Sequence, residues 1–312
     1  MAIAFGLPAQ ADTPLFSSSI AGYRVSEVLA DDLDGDGHQE IIIFTSSYLP
    51  STITVRNETA TEALWSVAMG TGNDNLGLDG AAIIDDIDRD GFRDILVGAK
   101  RSDGPSGTFS GKAVVVSGRT GQTLRTHYGT LPSQYMGEAV AALSDINNDS
   151  YKDYLVCAPG VYWANNPTVP ASCWAFSGQT GQILYQIPGS GADGLGSEVA
   201  VVGDVTGDGK DDFILGLPYW NTRTGRAVLY SGSNGQPITS VQGTAYSRFG
   251  ERIEYAGDTD LNGHPEVLIR KAPDNQVVLY TVRTTGFTPV RSHPNTPATE
   301  SGYGSELLAV DD

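Results

Sequence analysis

An acidic nine-residue segment recurs five times in this chain at nearly constant spacing. The segments begin at Asp32, Asp86, Asp145, Asp204 and Asp258. Their first aspartates lie 54, 59, 59 and 54 residues apart, and the last residue, Asp312, follows after a further 54. A period this regular indicates one supersecondary unit copied along the chain. We expect five complete repeats and two partial ones, or a six-membered ring closed by residues 1–22 against residues 303–310.

Each repeat divides into four short strands. In the fourth repeat an apolar run at 198–202 precedes the acidic segment, and a second run at 213–215 follows it. A third run, such as 112–116, ends in a Ser-Gly-x-Thr-Gly turn, and a fourth run follows, as at 182–185. Short runs of Val, Ile, Leu and Tyr between glycines are typical of strands. We therefore predict an all-β fold, a β-propeller of four-stranded antiparallel blades, with six or seven blades in the full ring.

The acidic segments have the ligand spacing of a calcium loop. Side-chain oxygens at positions 1, 3, 5 and 9 and the main-chain carbonyl at position 7 can surround one ion, and glycine suits the sharp turn at position 6. Ca²⁺ accepts more protein ligands than Mg²⁺, so we expect up to five Ca²⁺ ions. The predicted ligand residues are Asp32, Asp34, Asp36, His38 and Glu40; Asp86, Asp88, Asp90, Phe92 and Asp94; Asp145, Asn147, Asp149, Tyr151 and Asp153; Asp204, Thr206, Asp208, Lys210 and Asp212; and Asp258, Asp260, Asn262, His264 and Glu266.

Two other interpretations of the segments are weaker. An EF-hand needs a carboxylate at position 12, where this chain has only apolar residues: Ile43, Val97, Val156, Leu215 and Ile269. Simple polar hairpin turns would also favour Asp, Asn and Gly. However, the segments hold 17 carboxylates at ligand positions, against a net charge of −18 for the whole chain. Carboxylates this close repel one another unless a cation lies between them.

The overall charge excludes some partners. The chain has 37 acidic and 19 basic residues. A polyanion of this kind does not suit nucleic acid, which is itself a polyanion. No apolar run approaches the roughly 18 residues of a membrane helix, so we expect no membrane span.

Two further motifs recur in phase with the acidic segments. A Phe-Gly pair occurs at Phe249-Gly250, with variants at Met136-Gly137, Leu195-Gly196 and Tyr303-Gly304. Variants of Gly-Ala-Pro occur at residues 98–100, 157–159 and 216–218. Over residues 15–312 the chain resembles the FG-GAP repeats of the integrin α-subunit β-propeller. The resemblance implies structural Ca²⁺, an extracellular or cell-surface location, and an adhesion role with a protein or glycan ligand.

Three features depart from that pattern and predict weaker ion binding in loops three to five. Ser150 replaces the turn glycine of loop three, Thr206 occupies position 3 of loop four, and Pro265 follows the carbonyl ligand of loop five. For the domains, we expect residues 12–312 to form a single propeller that ends inside a sixth motif. Residues 1–11 are either a signal-peptide remnant, cut after an Ala-x-Ala pattern, or a short strand.

Cys157 and Cys173 are the only cysteines. Aligning the repeats places Cys157 at the end of a second strand and Cys173 at the start of the third, where the two face each other. In the extracellular setting that the resemblance implies, a disulfide is expected. In a reducing compartment, the same residues would be two buried thiols.

Catalytic signals in the sequence are poor. It contains no His-Glu-x-x-His and no Gly-x-Ser-x-Gly. We also find no non-repeated cluster of basic and acidic residues to form a catalytic pocket. We therefore predict a protein that is not an enzyme, with a polysaccharide-active propeller as the alternative.

The loops opposite the acidic segments carry aromatic residues that predict a ligand-binding face. These residues are Tyr48, Tyr162, Trp163, Tyr219 and Trp220. Exposed Tyr and Trp are enriched at binding hot spots and stack on sugars. The alternative is that they pack between blades.

Overall fold

A computed structural model describes most of the chain between residues 24 and 293. The described residues are 24–46, 51–57, 59, 62–69, 77, 80–160, 169–190, 192–271 and 276–293. The segment 1–11, the closing strands expected at both termini, Tyr303-Gly304, Asp312, Tyr48, Tyr162 and Trp163 lie outside these residues.

The described part forms five four-stranded antiparallel sheets, each built from strands in chain order. The first sheet contains β1 (Arg24–Asp31), β2 (Glu40–Ser46), β3 (Thr52–Arg56) and β4 (Ala63–Ala68); the second contains β5 (Ala81–Ile83), β6 (Ile95–Ala99), β7 (Lys112–Val116) and β8 (Thr123–Tyr128). The third contains β9 (Ala139–Ala142), β10 (Tyr154–Ala158), β11 (Ser172–Phe176) and β12 (Ile183–Pro188); the fourth contains β13 (Val199–Gly203), β14 (Asp212–Leu217), β15 (Arg226–Tyr230) and β16 (Pro237–Gln242); the fifth contains β17 (Ile253–Gly257), β18 (Glu266–Lys271), β19 (Gln276–Arg283) and β20 (Gly286–His293).

The sheets are arranged as blades. The first strand of each sheet contacts the first strand of the next, in the order β1, β5, β9, β13 and β17. These strands therefore lie at the centre, and the fourth strands lie at the periphery. The predicted all-β propeller of four-stranded blades is confirmed, with one blade for each of the five complete repeats. The one helix of the described part is a single turn, α1 (Trp220–Arg223).

The core lies between successive blades. The second strands β6, β10 and β14 are buried along their whole length because neighbouring blades cover both of their faces. Their near-continuous apolar sequences follow from this double burial. The peripheral strand β4 has no fully buried residue. Between the third and fourth blades, for example, Leu155, Phe213 and Leu215 pack in one cluster with no exposed surface.

The Phe-Gly and Gly-Ala-Pro motifs meet where adjacent blades approach most closely. A Cβ atom on Gly98 of the second blade would lie 2.0 Å from the carbonyl oxygen of Gly137 in the third. A Cβ atom on Gly216 of the fourth blade would likewise lie 2.1 Å from the carbonyl oxygen of Gly250 in the fifth. Only glycine fits such a close backbone contact, so these motifs set the spacing between blades.

Peripheral side chains connect each of the first three blades to the next blade. Trp65 Nε1 donates a hydrogen bond to the Gly118 carbonyl (2.7 Å), and Tyr185 Oη donates one to the Gly232 carbonyl (2.7 Å). Arg125, midway between Trp65 and Tyr185 in the sequence, donates to the Gly178 carbonyl at 2.5 Å. Each acceptor lies in the turn between the third and fourth strands of the following blade. Three consecutive pairs of blades therefore have the same kind of contact.

Candidate metal centres and the opposite loop face

The five acidic loops share one hydrogen-bonded conformation. In loop two, Asp86 at position 1 accepts hydrogen bonds from the backbone N–H groups of Asp90 (3.0 Å) and Gly91 (2.9 Å). The position-1 aspartates of the other four loops accept the same pair of bonds. The position-5 side chain in turn accepts the N–H of position 7 in every loop. One turn geometry is therefore built five times from the repeated sequence.

Two positions of each loop have left-handed backbone. Position 6 has positive φ in all five loops, including Ser150 at +72°. Position 4 also has positive φ, as at Arg89 (+62°) and Leu261 (+57°). The sequence indicated the first requirement through its glycines. It carried no consistent signal for the second, since position 4 is glycine only at Gly35 and Gly207.

The position-9 carboxylate ties the loop to the neighbouring turn. Asp94 is fully buried and accepts hydrogen bonds from the N–H groups of Ile87 (2.9 Å) and Gly118 (3.1 Å). Asp153 and Asp212 make the equivalent bonds in their blades. The calcium-type loops and the turns between the third and fourth strands therefore share one end of the molecule. Position 9 therefore holds this end together through its hydrogen bonds, and its role as an ion ligand stays a prediction.

The electrostatics of the loops favour a bound cation. Burial, with a smaller contribution from the nearby Asp88 and Asp86, raises the pKa of Asp94 to about 7 against the opposing backbone hydrogen bonds. Burial likewise raises the pKa of Asp153 to about 6. The pKa of Glu40 is raised by burial and by the three aspartates of its loop. A cation would relieve both the desolvation and the mutual repulsion.

Three of the loops bring three carboxylates together. Within the described part of the chain, clusters with oxygens within 4.8 Å of one another are Asp32, Asp34 and Asp36; Asp86, Asp88 and Asp90; and Asp258, Asp260 and Glu266. In loop five, Oε1 of Glu266 is buried and has no hydrogen-bond partner within the protein. A buried carboxylate oxygen of this kind fits an ion ligand. Loop five therefore has as many clustered carboxylates as loops one and two, although Pro265 predicted weaker ion binding there.

Loops three and four are poorer in carboxylates. Asn147 and Thr206 occupy position 3, and neither loop is among the three-carboxylate clusters of the described residues. The ammonium group of Lys210, whose carbonyl was predicted as a ligand of loop four, instead reaches loop three. There it donates to the Asp145 carbonyl and to Asn148 Oδ1. The donor sets of loops one, two and five therefore fit Ca²⁺ best, and the position-7 carbonyls stay a prediction.

Side chains also link adjacent loops. Arg93, at position 8 of loop two, donates from one guanidinium nitrogen to both carboxylate oxygens of Asp31 at 2.7 Å. Asp211, at position 8 of loop four, accepts the N–H of Ser144 at 2.8 Å. Asp31 and Ser144 each immediately precede the loop of the blade before. Loops one and two, and loops three and four, are thus linked through the residues that precede them.

The two described residues of the predicted aromatic face are half-buried. Tyr219 lies 6.0 Å from the Arg248 guanidinium, measured to the ring centroid. Trp220 packs against the core between the third and fourth blades and lies under the Arg226 guanidinium at 5.3 Å. Trp220 thus has a structural role, as the alternative interpretation held, while part of its ring stays accessible. Their role in ligand binding stays a prediction.

A charged cavity opens on this same face, and the sequence analysis missed it. It has a volume of about 240 Å³ and is lined by Lys100, Glu138, Ser197, Pro218, Tyr219, Glu251, Arg252 and Arg270. The expectation that no non-repeated cluster of basic and acidic residues exists was therefore wrong. The residues come from four blades and are scattered over 170 positions (100 to 270), so no local motif could reveal them.

Cys157 and Cys173 lie directly opposite each other on β10 and β11 and form a disulfide, with their Cα atoms 4.1 Å apart. The disulfide packs against the fourth blade, where a Cβ on Gly196 would lie 2.4 Å from Cys173 Sγ. It therefore occupies the blade contact that glycine pairs make elsewhere in the ring.

The fold and the acidic loops are similar to those of FG-GAP repeat proteins. The sequence model of the FG-GAP repeat matches residues 195–230, which form most of the fourth blade. Integrin alpha-3 of Cricetulus griseus is 31% identical over 165 residues, 48% of this chain and 15% of that protein. Integrin alpha-V of Gallus gallus is 26% identical over 216 residues, 64% of this chain and 20% of that protein. The predicted resemblance to FG-GAP repeat proteins and integrin α-subunits is confirmed, although the chain spans only a small part of those relatives.

Solved structures with a similar fold include enzymes. The rhamnogalacturonan lyase PL11 of Bacillus licheniformis superposes with a TM-score of 0.53 at 15% identity, covering 85% of this chain and 50% of the lyase. The rhamnogalacturonan lyase YesW gives a TM-score of 0.55 at 15% identity, with the same coverage of both chains. At this identity the likeness shows the fold alone. No helix in the described part of the chain is long and apolar enough to cross a membrane.

Proposed function

We propose that this chain is a calcium-stabilised β-propeller that acts as an extracellular adhesion or interaction module. The observation that carries the proposal is the acidic loop, built five times with one geometry and clustering three carboxylates in three of its copies. The similarity to integrin α-subunits supports an interaction role. The Cys157–Cys173 disulfide supports an oxidising, extracellular setting.

In this proposal Ca²⁺ is structural. The loops lie at the same end of their blades, and side chains link loop one to loop two and loop three to loop four. An ion bound there would stabilise the folded state by mass action, because the unfolded chain does not hold the ligands together. The predicted aromatic face lies at the other end, so partner binding and ion binding would use separate surfaces.

Calcium removal tests the proposal. We expect EDTA to lower the melting temperature at low ionic strength and added Ca²⁺ to restore it, because the clustered carboxylates of three loops repel one another without the ion. Asp90→Ala should remove one site and weaken the response, while Asp103→Ala, outside the loops, should leave it unchanged. A melting temperature that is indifferent to both EDTA and Ca²⁺ would refute the structural role of calcium.

A polysaccharide-active enzyme is the second candidate. The charged central cavity favours it, and two of the fold neighbours are named as lyases. Incubation with acidic polysaccharides, followed by chromatography of the products, separates the candidates. Shortened chains would establish an enzyme, and intact chains that co-elute with the protein would establish a binding module.

A further inference from the structure

We infer that the charged cavity beside Tyr219, here called the central cavity, is a binding site for the carboxylate of a small polyhydroxylated acid, such as a uronate. This inference rests on the proposed interaction role and names a ligand class for it. The ligand would be a free sugar acid or one acidic unit of a polysaccharide.

The charges in the cavity are set in pairs around its wall. Lys100 Nζ lies 2.9 Å from Glu138 Oε1, and both side chains are nearly buried, 15% and 10% exposed. Arg270 Nη1 lies 3.4 Å from Glu251 Oε2, and Arg248 Nη1 lies 2.6 Å from Glu251 Oε1. Among these contacts, the Arg270–Glu251 distance is at the outer limit of a hydrogen bond. A ligand carboxylate can therefore take the place of Glu251 at Arg270 while Glu251 keeps its contact with Arg248.

These charges depart from the repeat. Arg270 occupies the position of Phe44, Gly98, Cys157 and Gly216 in the preceding blades. Arg252 stands where the second, third and fourth blades have Gly80, Ala139 and Glu198, and its Nη1 atom contacts Oε2 of that Glu198 at 2.9 Å. None of these equivalent residues is a cation. The fifth blade alone brings two arginines to the cavity from these positions, which indicates a local role in recognition.

The chemistry of the wall selects the ligand class. A guanidinium presents a planar fork of N–H donors that matches a carboxylate in two-point contact. Three cationic side chains line the cavity (Lys100, Arg252 and Arg270), against two carboxylates (Glu138 and Glu251), in a chain of net charge −18. Sugar hydroxyls both donate and accept hydrogen bonds, so they suit a wall that alternates carboxylates with cations. The half-buried Tyr219 adds a ring for stacking.

The size of the cavity fits one sugar unit. A volume of about 240 Å³ is below the roughly 300–1,000 Å³ of pockets that enclose drug-sized molecules. One sugar unit with its carboxylate at Arg252 and Arg270 is therefore the expected occupant.

Calorimetric titration of the calcium-loaded chain tests the inference with three probes: galacturonate, its neutral counterpart galactose, and a galacturonate oligosaccharide. We expect galacturonate to bind about tenfold or more tightly than galactose, because a charge-assisted hydrogen bond contributes more than a neutral one. Tighter binding of the oligosaccharide would assign the carboxylate to a polysaccharide, and equal binding would assign it to the free acid. Both results support the site.

Two variants locate the site. The double substitution Arg252→Gln with Arg270→Gln should reduce galacturonate affinity about tenfold or more. Arg283→Gln removes one charge from the same blade at the opposite end and should change nothing. Calcium-dependent melting of the double variant verifies that it is folded. Equal affinity for galacturonate and galactose, no detectable galacturonate binding, or full affinity in the folded double variant would overturn the inference. None of these results would alter the calcium response that tests the proposed function.

Discussion

At the scale of single residues, the backbone conformation of the acidic loops restricts which residue type fits at position 6. This restriction is stronger than any that metal binding imposes there. Position 6 has left-handed φ in every loop, and Ser150 is the one non-glycine residue there. A residue with a Cβ atom is strained in this region, whereas glycine is not. Loop three therefore keeps the common turn at a cost in stability.

Ser150→Gly should stabilise the protein by about 1 kcal/mol, because it relieves this strain. Urea unfolding in calcium-containing buffer measures the change. Gly209→Ser is the matched control in loop four, where φ is +80° and a Cβ atom would have no heavy atom within 4 Å. It should destabilise by a similar amount. A shift of both variants in the same direction would contradict the strain argument.

His127 makes the stability of the protein depend on pH in the acid range. Its ring stacks on Phe176 with centroids 3.9 Å apart, and its Nε2 lies 2.8 Å from Tyr154 Oη. Burial, followed by the charge of Arg125, lowers the pKa of His127 from 6.5 to about 4. The unfolded chain therefore binds a proton at a pH where the folded chain does not. Stability is lost as the pH falls from 6.5 towards 4, by up to about 3 kcal/mol.

His127→Gln should remove that part of the pH dependence. The variant loses ring packing at every pH, but the difference in unfolding free energy between variant and wild type should narrow as the pH falls from about 7.5 to about 4.5. Denaturant unfolding at several pH values gives this difference directly. A constant difference across the range would show that His127 titrates normally in the folded state.

At the scale of the strand, the contact between a peripheral side chain and the next turn is the repeated interaction that the sequence did not predict. Trp65, Arg125 and Tyr185 differ in chemistry but each donates to a turn carbonyl of the following blade. Their even spacing was visible in the sequence. Their common role was not, because a tryptophan, an arginine and a tyrosine share no pattern except the ability to donate a hydrogen bond.

Tyr185→Phe should destabilise the protein by about 1 kcal/mol, because the Gly232 carbonyl loses its hydrogen bond while the ring packing is kept. The free energy of unfolding by urea reports the loss. Tyr246→Phe, at a tyrosine that is 65% exposed, provides the matched control and should have no effect. Equal stability of the two variants would mean that solvent replaces the Tyr185 bond at no cost.

At the scale of the whole molecule, the features that were predictable are those whose residue types recur in phase along the chain. The acidic loops and the four-strand units follow from local patterns that recur in phase, so each copy strengthens the prediction of the others. The third strand Lys112–Val116 even matches its predicted bounds. The opposition of Cys157 and Cys173 also followed from repeat alignment.

The central cavity could not be predicted in the same way. Lys100, Glu138 and Arg252 come from different blades, and each looks like an ordinary surface charge in its own repeat. Their proximity depends on how the ring curves, which no local pattern encodes. The dual role of Asp94, as a buried link to the Gly118 turn and a candidate ion ligand, was hidden for a related reason. The partner of its second oxygen lies 24 residues away.

That link between loop and turn has an evolutionary consequence. The position-9 carboxylate holds its blade together through hydrogen bonds that are independent of any ion. A duplicated blade can therefore lose its affinity for calcium by drift and still keep its shape. Loop four, with Thr206 where other copies have Asp or Asn, keeps the common turn geometry with fewer carboxylates, and we expect it to bind calcium more weakly. Because the scaffold survives, a single codon change can restore the lost ligand, and ion sites can be lost and regained among the blades over time.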